Sequence, residues 1–226
     1  MEPQRLEATR VPNARPAYAA IRRALDRIAV DTGARFPWRK STDPWAIFVA
    51  EFLLQRTSRH HVVRAYGAIL EAAPDPESLV DMPTDLLSEL LRPLGMPSRL
   101  PRLREAARSV AEDHGGRVPA SRVALRRLAG IGPYTANAIA CFAYGLRHPL
   151  VDTGTARMHV RLFGLPQTKR PRDDAAVWDA ARGLLGRSEP RRHNLAVLTA
   201  AQEYCTARPK CAVCPLRPHC SFAAHD

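Results

Sequence analysis

Apolar residues along this chain recur at helical spacing in block after block, and no stretch alternates with the two-residue period of a strand. Pro16 opens a first helix with Ile21, Leu25 and Ile28 on one face, and Gly33 is predicted to close it. Asp43-Pro44 supplies an N-cap and a first-turn proline for a second helix, in which Trp45 to Leu54 is apolar all round apart from Glu51. A helix apolar on every face is buried, so Glu51 goes in with it. Short helices then follow one another: Val62 to Ala72, a turn at Pro74-Asp75-Pro76, Thr84 to Leu91, a glycine turn at Leu94-Gly95-Met96, and a basic helix from Leu100 to His114. Ser121 to Leu128 leads into Gly130-Ile131-Gly132. Further helices are predicted from Pro133 to near Gly145, from Thr153 to Phe163, from Asp173 onward, and from Pro190 to Tyr204. The predicted fold is all-α, and no linker after residue 16 is long or polar enough to separate independent domains.

The stretch from Leu128 to Asp152 organises the candidate chemistry. Gly130 and Gly132 flank one apolar residue and open a helix, so they describe a tight turn whose N–H groups point outward at a helix N-terminus, a setting suited to a phosphate. Asp152 follows after a short loop, where the next helix begins. Arg35-Phe36-Pro37-Trp38-Arg39 places two aromatics between cations, and packing on the domain is favoured over a position near nucleic acid.

Charge changes the picture next. The 226 residues carry a formal net charge of +12, from 34 Lys+Arg against 22 Asp+Glu, and nearly all the positive residues are Arg, which forks onto phosphate. Nucleic acid is the leading partner, with solubility or an Arg-rich genome as the plainer source of the excess. The N-terminus has no apolar core of signal-peptide length, and no apolar run is long enough to span a bilayer. A cytoplasmic, nucleoid-associated protein with no membrane partner is expected.

Glu51 needs a reason to be buried. Removal from water pushes a carboxyl pKa upward, toward the range where it holds and delivers a proton at neutral pH, whereas a structural glutamate would pair with an arginine or cap backbone. Four of the five cysteines crowd the tail as Cys205-x5-Cys211-x2-Cys214-x5-Cys220. In a reducing compartment four thiolates in one loop suit a tetrahedral zinc or a cubane iron–sulfur cluster, and spacing alone leaves both open. Cys141, alone in an apolar helix, reads as a small buried residue.

These motifs together resemble the helix-hairpin-helix DNA glycosylase superfamily. Leu128 to Ile139 looks like its hairpin, Val151-Asp152 falls on the aspartate that follows the hairpin at this spacing, and the cysteine loop resembles that of the iron–sulfur branch. Phe36-Pro37-Trp38-Arg39 and Ala50-Glu51 through Gln55-Arg56-Thr57 are similar to the adenine (MutY) and mismatch-thymine groups in particular. The resemblance covers the chain from about residue 35 to its end. It implies two helical lobes with a DNA cleft between them: a six-helix barrel over residues 44–149, and a cluster lobe made from residues 1–43 and 150–226. It also implies a [4Fe-4S] cluster on Cys205, Cys211, Cys214 and Cys220, with zinc the lesser alternative.

By the same resemblance, Asp152 faces the sugar cation and Glu51 donates a proton to the base or organises water. Gln55 and Arg56 fill the gap left by a flipped base, and Leu128, Gly130, Ile131, Gly132 and Thr135 form the hairpin contact to DNA. Tyr134 stands where bifunctional endonuclease III-like enzymes carry a lysine that forms a Schiff base, and a phenol cannot do that. A monofunctional glycosylase acting on thymine or uracil opposite guanine in double-stranded DNA, working as a monomer, is expected. Adenine excision is the runner-up, and a non-catalytic iron–sulfur DNA-binding protein the third reading. Four departures from the family pattern stand out: a first cysteine gap of five residues where six is usual, Ala129 in place of proline, Gly154 in place of asparagine, and no extra C-terminal domain after the cysteines.

Overall fold

Most of the longer helices start where a side chain or a proline meets the free N–H groups of a first turn. The computed structural model describes residues 15–28, 36–95 and 99–224, and these are all-helical, with no strand among the described residues. Eleven α-helices run in order among them: α1 Arg15–Asp26, α2 Pro44–Leu53, α3 Arg59–Ala72, α4 Pro76–Asp81, α5 Thr84–Leu91, α6 Leu100–His114, α7 Arg122–Leu125, α8 Pro133–Tyr144, α9 Thr153–Phe163, α10 Ala175–Leu185 and α11 Pro190–Thr199. Asp43 caps α2 by accepting from the N–H groups of Trp45 and Ala46, and Pro44 occupies its first turn. Gly145 and Gly164 close α8 and α9 in the left-handed conformation that a Cβ disfavours.

Several boundaries differ from expectation, each for a local reason. Helix α1 ends at Asp26 in a turn in which Arg27 N–H bonds Ala24 O and Ile28 N–H bonds Leu25 O. Gly33, Met96 and the N-terminal arm lie outside the described residues. Helix α3 begins at Arg59 rather than Val62 because Ser58 Oγ accepts from His61 N–H, and Asp75 caps α4 inside what reads as a turn. Helix α10 starts at Ala175 because Asp174, not Asp173, takes up Ala176 N–H.

Two main cores divide the molecule. The first gathers Phe36 and Trp38 with α2, α3, α5, α6 and the start of α8; Phe48, Phe52, Leu103 and Ile139 lie at its centre. Helices α2 and α8 pack closely because Ala136 and Ala140 are small, and Gly130 lets the Phe52 ring approach. A Cβ at Gly130 would stand 3.1 Å from that ring, and φ there is +75°. The second core joins Ile21, Leu25 and Ile28 of the N-terminal segment to Met158, Leu162, Leu184 and Val197. The N-terminal segment is thus shared: residues 21–28 pack with the C-terminal helices, whereas Phe36 and Trp38 belong to the first core.

Polar side chains lock the seam between the cores. Arg191 donates to Phe142 O at 2.6 Å and to the backbone carbonyls of Arg39 and Ser41 at 2.6 and 2.7 Å. Asn194 donates to His148 O and accepts from Leu150 N–H, and Asn137 donates to Pro149 O. These buried amides fix the loop of residues 145–152, which ends on Asp152. Replacing either amide by an apolar group would leave loop backbone unpaired in the interior.

Candidate active site

At the seam a cavity of about 230 Å³ opens beside a much larger cleft. Glu51, Tyr134, Asp152 and Gln202 line the cavity, with Trp38, Ile47, Phe142 and Leu198 among its apolar walls. Tyr134 and Asp152 also line the cleft, so both stand at the threshold between the two spaces. The cavity suits a flat, partly polar ring of about one nucleobase.

The two carboxyl groups reach this cavity by opposite routes. Glu51 projects from the last turn of α2, is only 6% exposed, and is pushed up to about 8 by burial, with the Arg39 guanidinium offsetting part of that rise. At neutral pH it therefore holds its proton. Asp152 is the N-cap of α9: Oδ1 accepts from Thr155 N–H at 2.7 Å and Thr155 Oγ1 at 3.0 Å, while Thr155 Oγ1 accepts in turn from Asp152 N–H at 2.8 Å. Both bonds fall on one oxygen. His159 sits behind this box and donates Nδ1–H to Thr155 O at 2.6 Å. Tyr134, in the first turn of α8, is raised well above the ordinary phenol range by burial, and the Glu51 and Asp152 carboxyls push it further. It stays a neutral phenol.

The hairpin residues divide between core and surface. Leu128, Ile131 and Thr135 are buried, at 4, 5 and 4% exposure, so their side chains anchor the turn and do not reach outward. Ile131 N–H is also taken by Leu128 O at 3.1 Å. The outward donors are the N–H groups of Gly132, Tyr134 and Thr135 at the uncapped start of α8. The N–H donors expected of this turn thus border the cleft at Gly132, Tyr134 and Thr135, with Leu128 and Ile131 as their support. Gln55 Nε2 donates to Gly130 O at 3.0 Å, which ties the exit of α2 to the hairpin. Arg56 is exposed in the cleft with φ +55°, a strained conformation for a side-chain-bearing residue.

Composition announced many arginines without saying where they go. Arg99, Arg102, Arg122, Arg172 and Arg182 all line the cleft. Arg99 donates to Leu53 O and Thr57 Oγ1, on either side of Gln55-Arg56 in the chain. Sequence patterning also missed Arg59, Phe142, Arg191 and Gln202, all lining the small cavity, because no motif marks them and only the fold brings them together. Neither the cavity nor the cleft is lined by a lysine among the described residues.

The tail folds as a run of short 3₁₀ turns that brings Cys205, Cys211, Cys214 and Cys220 to line one small apolar pocket, none of them in a disulfide. Arg161 donates to Cys205 Sγ at 3.6 Å and to Thr206 O and Ala207 O, and its guanidinium lies over the Phe222 ring. Among the described residues no three His, Cys, Asp or Glu side chains converge tightly enough to hold a single metal ion. Cys141 is fully buried, as expected, with its thiol pushed up to about 11 by burial.

Residues 49–178 match the family described as HhH-GPD superfamily base excision DNA repair protein. The chain is similar to a thymine-DNA glycosylase of Aeropyrum pernix, at 36% identity over 92% of this chain and 96% of that protein. It is also similar to a thymine/uracil-DNA glycosylase of Pyrobaculum aerophilum, at 35% identity over 88% of this chain and 89% of that one. The structure superposes on that of a thermostable thymine-DNA glycosylase with a TM-score of 0.83 and 30% identity, covering 92% of this chain and 95% of the other. No described helix is long and apolar enough to cross a membrane.

Proposed function

Because this chain belongs to the helix-hairpin-helix (HhH-GPD) superfamily of base excision DNA repair proteins, we propose that it is a monofunctional glycosylase removing thymine or uracil paired with guanine. The observation that carries this reading is one base-sized cavity holding a protonated glutamate, an aspartate at a helix N-terminus, and a neutral phenol. The relatives that span nearly the whole chain carry the names of thymine and uracil, which ranks adenine excision below pyrimidine excision. The absence of lysine from the lining of cavity and cleft among the described residues supports hydrolysis without a Schiff base.

The chemistry follows from where charge develops. As the C1′–N bond breaks, its electron pair leaves with the base and positive charge grows on the sugar. Glu51 gives its proton to the departing base, and Asp152, standing at the threshold, stabilises the sugar cation. A water oxygen then bonds C1′ and its proton passes to a carboxylate, leaving a free base and an abasic sugar. Apolar walls exclude bulk water from this exchange. The duplex lies in the arginine-lined cleft, its backbone held by the N–H groups of Gly132, Tyr134 and Thr135, with Gln55 and Arg56 facing the gap that the flipped base leaves.

The cysteine pocket fits a four-thiolate cluster. Four thiolates can hold a tetrahedral zinc or a cubane cluster, and all four cysteines line one pocket; the resemblance to the iron–sulfur branch favours the cluster. A [4Fe-4S] cluster there would crosslink Cys205, Cys211, Cys214 and Cys220 and stiffen the basic loop between them. Protein purified without oxygen is expected to be brown and to contain iron; a colourless protein with stoichiometric zinc contradicts this.

Duplexes carrying U·G, T·G, A·G, A·8-oxoguanine and oxidised pyrimidines, scored with and without alkali, test the activity. U·G and T·G should yield abasic sites that break only after alkali. Strand cleavage without alkali would refute the monofunctional reading, and excision confined to A·G would refute the substrate.

A further inference from the structure

Helix α11 does not stop at Thr199. From Ala200 to Tyr204 the chain widens into a π turn, a form that interrupts helical register and recurs at functional sites. The widened turn brings Gln202 to the mouth of the small cavity, where it joins Glu51, Tyr134 and Asp152 in the lining. Gln202 is exposed, and its amide has no hydrogen-bond partner among the described residues.

Neighbouring residues hold the turn in place. Glu203 pairs with Arg59 at 3.4 Å across the seam, and the Arg59 guanidinium lies 4.7 Å from the centre of the Phe36 ring. On the other side Ala201 is buried against Gly154: a Cβ on that glycine would stand 3.8 Å from Ala201 Cβ and 3.3 Å from Asp152 Oδ1. Gly154 thus lies between the Asp152 carboxyl and the π turn, and contributes no polar group of its own. The amide available on this side of the cavity is that of Gln202.

We propose that Gln202, presented from the π turn, hydrogen-bonds the edge of the flipped base. The proposal rests on the glycosylase reading above. A glutamine side chain offers a donor and an acceptor side by side, which matches the N3–H and neighbouring carbonyl oxygen of uracil or thymine. Glu51 and Gln202 then contact the base while Asp152 faces the sugar.

The test uses Gln202→Leu, which keeps the bulk and removes the amide, with Gln202→Ala as a second variant. Single-turnover excision from a U·G duplex should fall about 5- to 10-fold, the span of one neutral hydrogen bond. Affinity for a duplex with a tetrahydrofuran abasic site opposite guanine, which presents no base, should stay unchanged. Wild-type excision rates in both variants would overturn the proposal. So would an equal loss of abasic-duplex affinity, because Gln202 would then act by shaping the turn. A wild-type protein that excises neither uracil nor thymine would remove the glycosylase reading itself, and this one with it.

Discussion

Glu51 and Asp152 carry the same functional group into one cavity under opposite conditions. Glu51 sits in the last turn of α2, where the backbone N–H groups are already used within the helix, so nothing in the helix itself offsets its removal from water. Asp152 sits at the start of α9, where free N–H groups and Thr155 hold one carboxyl oxygen in a capping box. A carboxyl placed within an apolar helix becomes an acid that keeps its proton; one placed at a helix N-terminus lies in a field that favours negative charge. Position within a helix thus divides the labour between two otherwise similar side chains.

The largest effect should come from removing either partner. Glu51→Gln is expected to lower single-turnover excision by about 10²- to 10⁴-fold, the usual contribution of a general acid. Asp152→Asn should cost about 10²- to 10³-fold. Equal, small losses in both variants would erase the contrast between them.

A smaller effect separates the two residues through stability. The folded protein holds the Glu51 proton up to about pH 8, whereas the unfolded chain releases it near the ordinary value of 4.5. Between those values the unfolded state binds fewer protons, so stability falls as pH rises through the window and stays reduced above it. Glu51→Gln should therefore raise Tm at pH 8, by about 5 °C or more, and change it little at pH 4.5 or below. Asp152→Ala removes an N-cap and should cost about 1 kcal/mol at pH 7 in thermal or urea unfolding. A Tm gain in Glu51→Gln that is the same at every pH would contradict the burial argument.

Local chemistry explains why so many helices were legible in the chain. Pro and Gly bracket α6 and α8, capping residues open α2 and α9, and the run Trp45 to Leu54 announces both burial and the misplaced Glu51. The first turn of α3 was not legible, because Arg59-His60-His61 is polar and its cap, Ser58, looks like any loop serine. Leu128 and Ile131 belong to the hairpin pattern, yet the pattern does not say that their side chains turn inward. Gln202 and Arg59 left no signal at all. Arg59 reaches the cavity from the polar first turn of α3, and Gln202 from a π turn far along the chain from Glu51, held across the seam by the Arg59–Glu203 pair.

The central claim is that Glu51 acts in its protonated form because α2 buries it. Single-turnover excision of uracil from a U·G duplex, measured from pH 6 to pH 10, tests this most directly. The rate should hold near neutrality and fall about tenfold per pH unit above about 8, where Glu51 loses its proton. A rate that stays flat or rises through pH 9 would contradict it.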